Sequence, residues 1–340
     1  MKLGLTIGYS GAQLNIDVDL IREAESLGYD SVWSAEAWGS DAVSPLAWLA
    51  PQTKTIKLGS AIMQLPGRSP AMTAMTAMTV DALSGGRMIL GLGTSGPQVV
   101  EGWHGLPWDK PLTWMREYLT IVRRVLAREE PLTFEGKKYQ IPYRGPGSKG
   151  LGKPLKSIMH GRRDIPIYTG SMAPKGQALA GELADGVLLT NMHPEHGEVT
   201  MKNLRVGFEK AGRDGSNFDI APVVAVVMGD DVEKCRMPLK AQLAFYVGGM
   251  GARNKNFYAD YVRSVGFEAE VETIVDLWFD GKKREATAAV TDAMVDAFYL
   301  VGPADRIRDR FAAWKESVAT TMVVGSTQPE AIRLLAELAC

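Results

Sequence analysis

Short apolar runs alternate with amphipathic helical patterns along the whole chain. A run that is apolar on both faces is typical of a strand in a parallel sheet covered by helices. The eight predicted strands are Leu3–Ile7, Ser31–Ser34, Ile56–Met63, Met88–Leu92, Ile165–Thr169, Gly186–Thr190, Ile220–Val227 and Thr321–Val324. Because eight strand–helix units alternate within 340 residues, the pattern predicts an α/β fold, a (β/α)8 TIM barrel rather than a doubly wound sheet.

The helical segments carry recognisable boundaries and faces. The first helical pattern, residues 15–28, has Asn15 as its predicted N-cap and Gly28 as its predicted stop. Its apolar stripe consists of Ile16, Leu20, Ala24 and Leu27. Further along, Met72, Met75 and Met78 recur at every third residue and predict a helix with a buried methionine face.

Two segments interrupt the alternation. Residues 130–163 are rich in Gly, Pro and Lys and are expected to hold a hairpin and a long loop. Residues 253–295 are rich in charged residues and helical in pattern, and they lie between the seventh and eighth units. Long insertions in the βα loops of a barrel tend to cover or shape the site. We therefore expect a single TIM-barrel domain over residues 1–340 with these two insertion regions.

Composition and charge exclude several classes of protein. The 38 Lys and Arg residues balance 39 Asp and Glu residues, so no basic surface for nucleic acid is expected. No apolar stretch is long enough to span a membrane. Two cysteines, Cys235 and Cys340, make neither a disulfide framework nor a zinc site, which indicates a cytoplasmic protein. His193 and His196 flank Pro and Glu and are interpreted as a surface loop, so no metal is expected.

Three features point to a ligand site at the carboxyl ends of the strands. Gly91-Leu-Gly-Thr-Ser-Gly96 fits the dinucleotide pattern but follows the fourth strand, so we interpret it as a small-residue shelf. The turn from Gly170 to Pro174 leads into a helix N-terminus, where backbone N–H groups and the helix dipole favour phosphate. Trp38 and Trp103 follow strand ends, where their rings are expected either to line the site of a ligand with a flat ring system or to pack under long loops.

Several segments taken together resemble one family. They are MKLGLTIG at residues 1–8, Ser34-Ala-Glu-Ala-Trp38, Lys57-Leu-Gly-Ser-Ala-Ile-Met-Gln64, Leu83-Ser-Gly-Gly-Arg87 with the glycine shelf, and Ala184-Asp-Gly186. From residue 1 to about 330, the sequence resembles the luciferase-like monooxygenase superfamily. Within it the chain is most similar to the coenzyme F420-dependent oxidoreductases, which include methylenetetrahydromethanopterin reductase.

This resemblance implies a barrel that binds the deazaflavin F420 at its carboxyl-terminal mouth and forms a homodimer or higher homo-oligomer. It also implies a non-prolyl cis peptide between Ala61 and Ile62. The cofactor-binding residues carried over from the family are Glu36, Ala61, Ile62, Thr94, Ser95, Gly96, Gly170, Ser171, Met172 and Thr190. The substrate is expected near Trp38, Gln64 and Trp103, with Glu36 either orienting cofactor or water or serving as a structural acid at the strand end; Glu36, Trp38 and Gln64 are the catalytic candidates.

One position departs from the family and bears on the substrate. Some relatives, including the sugar-phosphate dehydrogenase, have a catalytic His after the strand-two acid, whereas this chain has Ala37. The expected reaction is therefore hydride transfer between F420 and an electron-poor acceptor, such as an enone, an imine or methylene-pterin, or a nitroaromatic. The alternatives are an FMN-dependent monooxygenase of the same superfamily and a non-catalytic flavin- or deazaflavin-binding protein.

Overall fold

Eight parallel strands form a closed ring at the centre of the fold. The computed structural model describes residues 1–8 and 10–339, which leaves Tyr9 and Cys340 outside the described residues. The strands are β1 Lys2–Gly8, β2 Ser31–Ser34, β3 Lys57–Ser60, β4 Met63–Gln64, β5 Met88–Gly93, β6 Phe134–Glu135, β7 Gln140–Ile141, β8 Ile167–Gly170, β9 Gly186–Thr190, β10 Asp219–Met228, β11 Leu300–Gly302 and β12 Thr321–Gly325.

The order of the strands gives the topology of a (β/α)8 barrel. It runs β10-β12-β1-β2-β3-β5-β8-β9, and β9 pairs again with β10, so the sheet closes. The short strands β4 and β11 add to the barrel strands β5 and β10. The predicted fold class and all eight predicted strands are confirmed, although the third apolar run is divided into β3 and β4.

Helices follow the strands as the alternation predicts. They are α1 Val18–Ser26, α2 Val43–Leu49, α3 Pro70–Ser84, α4 Pro97–Gly102, α5 Pro111–Ala127, α6 Pro174–Leu183, α7 Glu198–Ala211, α8 Val232–Ala244, α9 Phe257–Ser264, α10 Glu268–Phe279, α11 Lys283–Ala288, α12 Asp292–Phe298, α13 Ala304–Glu316 and α14 Pro329–Ala339. Of the helices in residues 1–8 and 10–339, none combines the length and apolarity that a membrane crossing requires.

Two details of the predicted helices are wrong. Asp17, not Asn15, caps α1: its Oδ1 accepts a hydrogen bond from Leu20 N at 2.9 Å, because a cap must directly precede the first helical residue. In α3, Met78 is buried but Met72 and Met75 are half exposed. A step of three residues falls about 60° short of a full helical turn, so the methionines drift around the helix instead of sharing a face.

The described residues fall into two compact units, one of residues 1–8, 17–33 and 170–339, the other of residues 10–16 and 34–169. We call them the first and the second unit. The expectation of a single domain stays a prediction.

The two predicted insertions have different structures. In the second unit, β6 and β7 form an antiparallel hairpin between α5 and β8, which confirms the predicted hairpin. The buried Glu117 holds this hairpin by accepting hydrogen bonds from the backbone N–H groups of Lys137, Lys138 and Tyr139. In the first unit, residues 253–295 contain α9 to α12, and their apolar faces share one buried cluster with α8. The helical prediction for this segment is thus confirmed.

Helices α6 and α7 of the first unit cross at two glycines. A Cβ on Gly207 would lie 2.0 Å from the carbonyl oxygen of Ala178, and one on Gly181 would lie 2.4 Å from that of Leu204. Because these neighbours are backbone atoms, they cannot move aside without shifting a helix.

We expect Gly207→Ala to lower the free energy of unfolding by about 2 kcal/mol, since the two helices must separate. Urea denaturation measures this loss, and Gly102→Ala is the control. Gly102 is also helical, but a Cβ there meets nothing within 4 Å. Equal stabilities of the two variants would contradict the close crossing as the reason for Gly207.

Candidate active site

Glu36 lies two residues after β2, and its carboxylate is held from several sides. Arg68 Nη1 donates to both carboxylate oxygens at 2.9 Å. The backbone N–H of Gln64 donates to Oε1 at 3.0 Å, and that of Ala42 donates to Oε2 at 3.1 Å. Only 9% of the Glu36 side chain is exposed. Since the protein itself engages both oxygens, the geometry favours a positioning role for Glu36 over proton transfer.

Gln64 at the end of β4 connects three segments of the second unit. Its Nε2 donates to the backbone carbonyl oxygens of Glu36 and Ala37, each at 3.1 Å. Its Oε1 lies 2.8 Å from Nε2 of His104. Gln64 is buried, with 3% of its surface exposed. The structure therefore brings Gln64 and Glu36 together, as the sequence analysis expects, and adds His104.

His104 contacts Gln64 and was not among the site residues expected from the sequence. It follows α4, and its backbone N–H donates to Val99 O at 3.1 Å, which fixes the chain at the end of this short helix. Its side chain is half-buried. The sequence carried only a weak signal, because His104 lies shortly after the glycine shelf that ends at Gly96. No spacing pattern linked it to Gln64.

The peptide bond between Ala61 and Ile62 is cis, which confirms the conformation that the family resemblance implies. Ala61 N donates to Ser34 O at 2.7 Å. The side chain of Ile62 lies against β5, where a Cβ on Gly93 would come within 2.7 Å of Ile62 Cδ1. The second glycine of the shelf is thus required by the close approach of Ile62.

The end of the shelf, Thr94 to Gly96, connects β5 to α4. All three residues are half-buried, and Ser95 has a left-handed backbone with φ of 62°. Thr94 Oγ1 donates to Ser95 O at 3.3 Å. These residues lie at the carboxyl end of a barrel strand, where the sequence analysis places them.

The two tryptophans expected near the substrate lie at the surface of the second unit. Trp38 is 54% exposed and Trp103 is 65% exposed. Within the described part of the chain, no hydrogen bond or ring contact joins Trp38 to Glu36 or Gln64. Both side chains are therefore more than half exposed, which favours stacking on a ligand over packing under loops.

The predicted phosphate turn lies in the first unit. Gly170 ends β8, Ser171 and Met172 follow, and α6 begins at Pro174 as predicted. Thr190, the last residue of β9, donates its backbone N–H to Met172 Sδ at 3.3 Å. The turn and Thr190 are therefore brought together, at the positive end of the α6 dipole.

Asn191, directly after Thr190, carries a buried donor that nothing in the described residues satisfies. Its Oδ1 accepts a hydrogen bond from Tyr299 Oη at 2.7 Å, and its Nδ2 has no partner. The residue is 2% exposed and has a left-handed backbone with φ of 58°. An unsatisfied buried amide is costly, so this donor is available to an acceptor that is not part of the described residues, at the end of β9.

The histidine pair of the first unit follows the same strand end. His193 and His196 lie edge to face, with 4.4 Å between ring centroids, and the Tyr261 hydroxyl accepts the His193 backbone N–H at 2.9 Å. Burial lowers the pKa of His193 below its ordinary value, and the neighbouring His196 lowers it further. Burial also raises the pKa of Tyr261 to about 12. Among residues 1–8 and 10–339, no three His, Cys, Asp or Glu side chains are arranged so that they could hold a metal ion.

Comparison with protein families shows that residues 3–321 match the family described as luciferase-like monooxygenase.

The sequence is similar to curated relatives along nearly its whole length. It is 45% identical over 342 aligned positions to a Mycobacterium tuberculosis protein with the provisional name coenzyme F420-dependent oxidoreductase, with 99% of each chain covered. It is 32% identical to 5,10-methylenetetrahydromethanopterin reductase of Archaeoglobus fulgidus, covering 90% of this chain and 88% of that one. Among solved structures, the coenzyme F420-dependent tetrahydromethanopterin reductase of Methanopyrus kandleri superposes with a TM-score of 0.81 and 26% identity, covering 99% and 97% of the two chains.

Proposed function

Because this chain belongs to the luciferase-like monooxygenase family, we propose that it is a coenzyme F420-dependent oxidoreductase that transfers a hydride between F420 and a small electron-poor organic acceptor. The observation that carries the proposal is the likeness to F420-dependent relatives along the full chain, at 45% identity in sequence and a TM-score of 0.81 in structure. The acceptor class proposed is an enone, an imine or methylene-pterin, or a nitroaromatic.

The residues at the strand ends fit such a coenzyme. F420 offers a phosphate group and ring carbonyl oxygens, which are hydrogen-bond acceptors. In the first unit, Asn191 Nδ2 is a buried donor without a protein partner, and the turn before α6 presents backbone N–H groups at a positive helix end. In the second unit, Thr169 Oγ1 is likewise buried without a partner. Donors left unsatisfied by the protein are expected where a polar ligand binds.

We assign the coenzyme contacts accordingly. Gly170, Ser171, Met172 and Thr190 hold the phosphate end. The deazaflavin ring is bound by residues of the second unit, namely Ala61, Ile62, Thr94, Ser95 and Gly96. Glu36 acts on this site through the backbone of Gln64.

Ala37, in place of the histidine of the sugar-phosphate dehydrogenase relatives, argues against sugar-phosphate oxidation. Oxidation of an alcohol requires a base beside the reacting carbon, and the side chain of Ala37 offers none. Reduction of an electron-poor acceptor requires chiefly orientation and a proton source, since the bound reduced coenzyme supplies the hydride. Trp38 and Trp103 present exposed aromatic faces on which a flat acceptor can stack. The chain's own part is therefore to orient the acceptor and provide a proton.

A fluorescence titration with F420, run in parallel with FMN, tests this proposal first. We expect saturable binding of F420 at micromolar concentrations and no comparable binding of FMN. The reduced coenzyme is then mixed with 2-cyclohexen-1-one, a nitroaromatic and an imine under anaerobic conditions, and oxidation is followed by absorbance.

Three other outcomes would favour a different function or contradict the proposed one. Tight binding of FMN with oxygen consumption would favour the monooxygenase. Binding of F420 without oxidation by any acceptor would favour a non-catalytic carrier. Binding of neither would contradict the proposed function. Sedimentation of the same protein tests the predicted homodimer or higher homo-oligomer.

A further inference from the structure

The hydrogen bonds of Gln64 fix the orientation of its amide. Nε2 lies 3.1 Å from each of two backbone carbonyl oxygens, those of Glu36 and Ala37. If the amide were reversed, its oxygen would face two acceptors with no hydrogen between them. The orientation with Nε2 toward the carbonyls is therefore the one that chemistry permits, and Oε1 must face His104.

This orientation in turn fixes the tautomer of His104. The imidazole Nε2 is 2.8 Å from Gln64 Oε1, and an amide oxygen only accepts hydrogen bonds. His104 Nε2 must therefore carry a hydrogen, in the neutral ring as in the cation. In the neutral ring the lone pair is then on Nδ1. In the part of the chain that the structure describes, no group bonds to Nδ1.

The contacts of His104 hold the imidazole through Nε2 and leave Nδ1 without a hydrogen-bond partner among the described residues. Gln64 is buried, and the charged groups bonded to the same cluster, Glu36 and Arg68, are paired with each other at 2.9 Å. The half-buried His104 follows the exposed Trp103, directly after α4. A base with one nitrogen anchored and the other open is the arrangement that general acid–base catalysis requires.

We propose that His104 is the proton-transfer residue of the reaction, acting through Nδ1, and that Gln64 is the residue that positions it; this role rests on the proposed function.

The step balances in atoms and electrons. A hydride from the reduced coenzyme forms a new C–H bond on the acceptor, whose double-bond electron pair moves to the conjugated heteroatom. That atom takes the proton from Nδ1–H of the His104 cation, and the neutral ring keeps its Nε2–H bond to Gln64. Solvent returns a proton to Nδ1, which matches the proton that the oxidised coenzyme releases.

The first test is a nitrogen-detected NMR spectrum of the coenzyme-free protein labelled at histidine. The chain has only four histidines, so His104→Gln assigns the signal directly. If that variant does not fold, single substitutions of His160, His193 and His196 assign it by elimination. We expect His104 as a single tautomer with hydrogen on Nε2. A ring protonated on Nδ1, or an average of both tautomers, would overturn the proposal.

The second test adds oxidised F420 to the labelled protein. We expect the His104 ring signals to shift on saturation, because an aromatic ring nearby changes the local field, while those of the exposed His160 stay in place. Binding that leaves the His104 signals unmoved would place this residue away from the reaction and overturn its role.

Kinetics provide the third readout, with whichever of the three acceptor probes the wild type reduces fastest. His104→Gln is expected to lower the rate of hydride transfer about 100-fold and to change the Kd for F420 less than about twofold; a retained rate would overturn the proposal. His160→Gln serves as the matched control for both constants. If the wild type binds F420 and reduces no probe, the proposed function fails and the proton-transfer role fails with it, whereas the NMR spectrum still decides how Gln64 and His104 are paired.

Discussion

Replacing Arg87 by leucine is expected to lower the free energy of unfolding by about 3–5 kcal/mol. Arg87 ends the Leu83–Arg87 motif and is buried in the second unit. Its guanidinium donates to four backbone carbonyl oxygens, of Ser84, Ile56, Ala50 and Thr53, at 2.7 to 3.2 Å, and to the Thr53 hydroxyl at 2.8 Å. Leucine would leave these acceptors buried and unsatisfied.

Urea denaturation measures this loss, and two further variants identify its cause. Arg87→Lys keeps the charge, but an ammonium group cannot donate to carbonyl oxygens on several segments as the planar guanidinium does. This variant is therefore expected to be more stable than Arg87→Leu but less stable than the wild type with its full complement of hydrogen bonds. Arg333→Leu removes an arginine that is 61% exposed and paired with Glu23, and it should cost less than about 1 kcal/mol. If Arg87→Leu and Arg333→Leu lowered the free energy of unfolding equally, the buried hydrogen bonds of Arg87 would not be the cause of its stabilising effect.

Glu36→Ala is expected to have the second-largest effect, a loss of about 3 kcal/mol. Arg68 is 19% exposed and would keep only Asp41 at 3.8 Å as a charged partner. The backbone N–H groups of Gln64 and Ala42 would lose their acceptor at the same time. Because Gln64 positions the proposed proton-transfer residue, the rate of hydride transfer should also fall.

A double-mutant cycle separates the ion pair from the backbone contacts. Arg68→Met alone leaves a buried carboxylate, and the double variant Glu36→Ala with Arg68→Met removes both charges. We expect the double variant to be more stable than the sum of the two single losses indicates, as measured in urea. Strict additivity would show that the backbone N–H contacts, not the charge pair, account for the effect of Glu36.

The residues of the Leu83–Arg87 motif illustrate how far sequence reasoning reached. The motif is one of the segments that carry the family resemblance. Its structural role could not be predicted from the sequence, because Arg87 bonds to Ala50, Thr53 and Ile56, which lie 31 to 37 residues earlier. The N-cap of α1 shows a local limit: Asn15 and Asp17 are both good caps, and only the start of the helix at Val18 selects Asp17.

The sequence by itself determined the eight barrel strands, most of the helices, the family and the turn that leads from β8 into α6. Each of these depends on residues close together in the chain, where periodicity, glycine and proline act directly. The tertiary structure alone decided which polar groups meet: Gln64 with His104 across 40 residues, and Asn191 with Tyr299 across 108. Such pairs leave no period in the sequence, because closing the barrel brings distant strand ends together and burial then selects the partners.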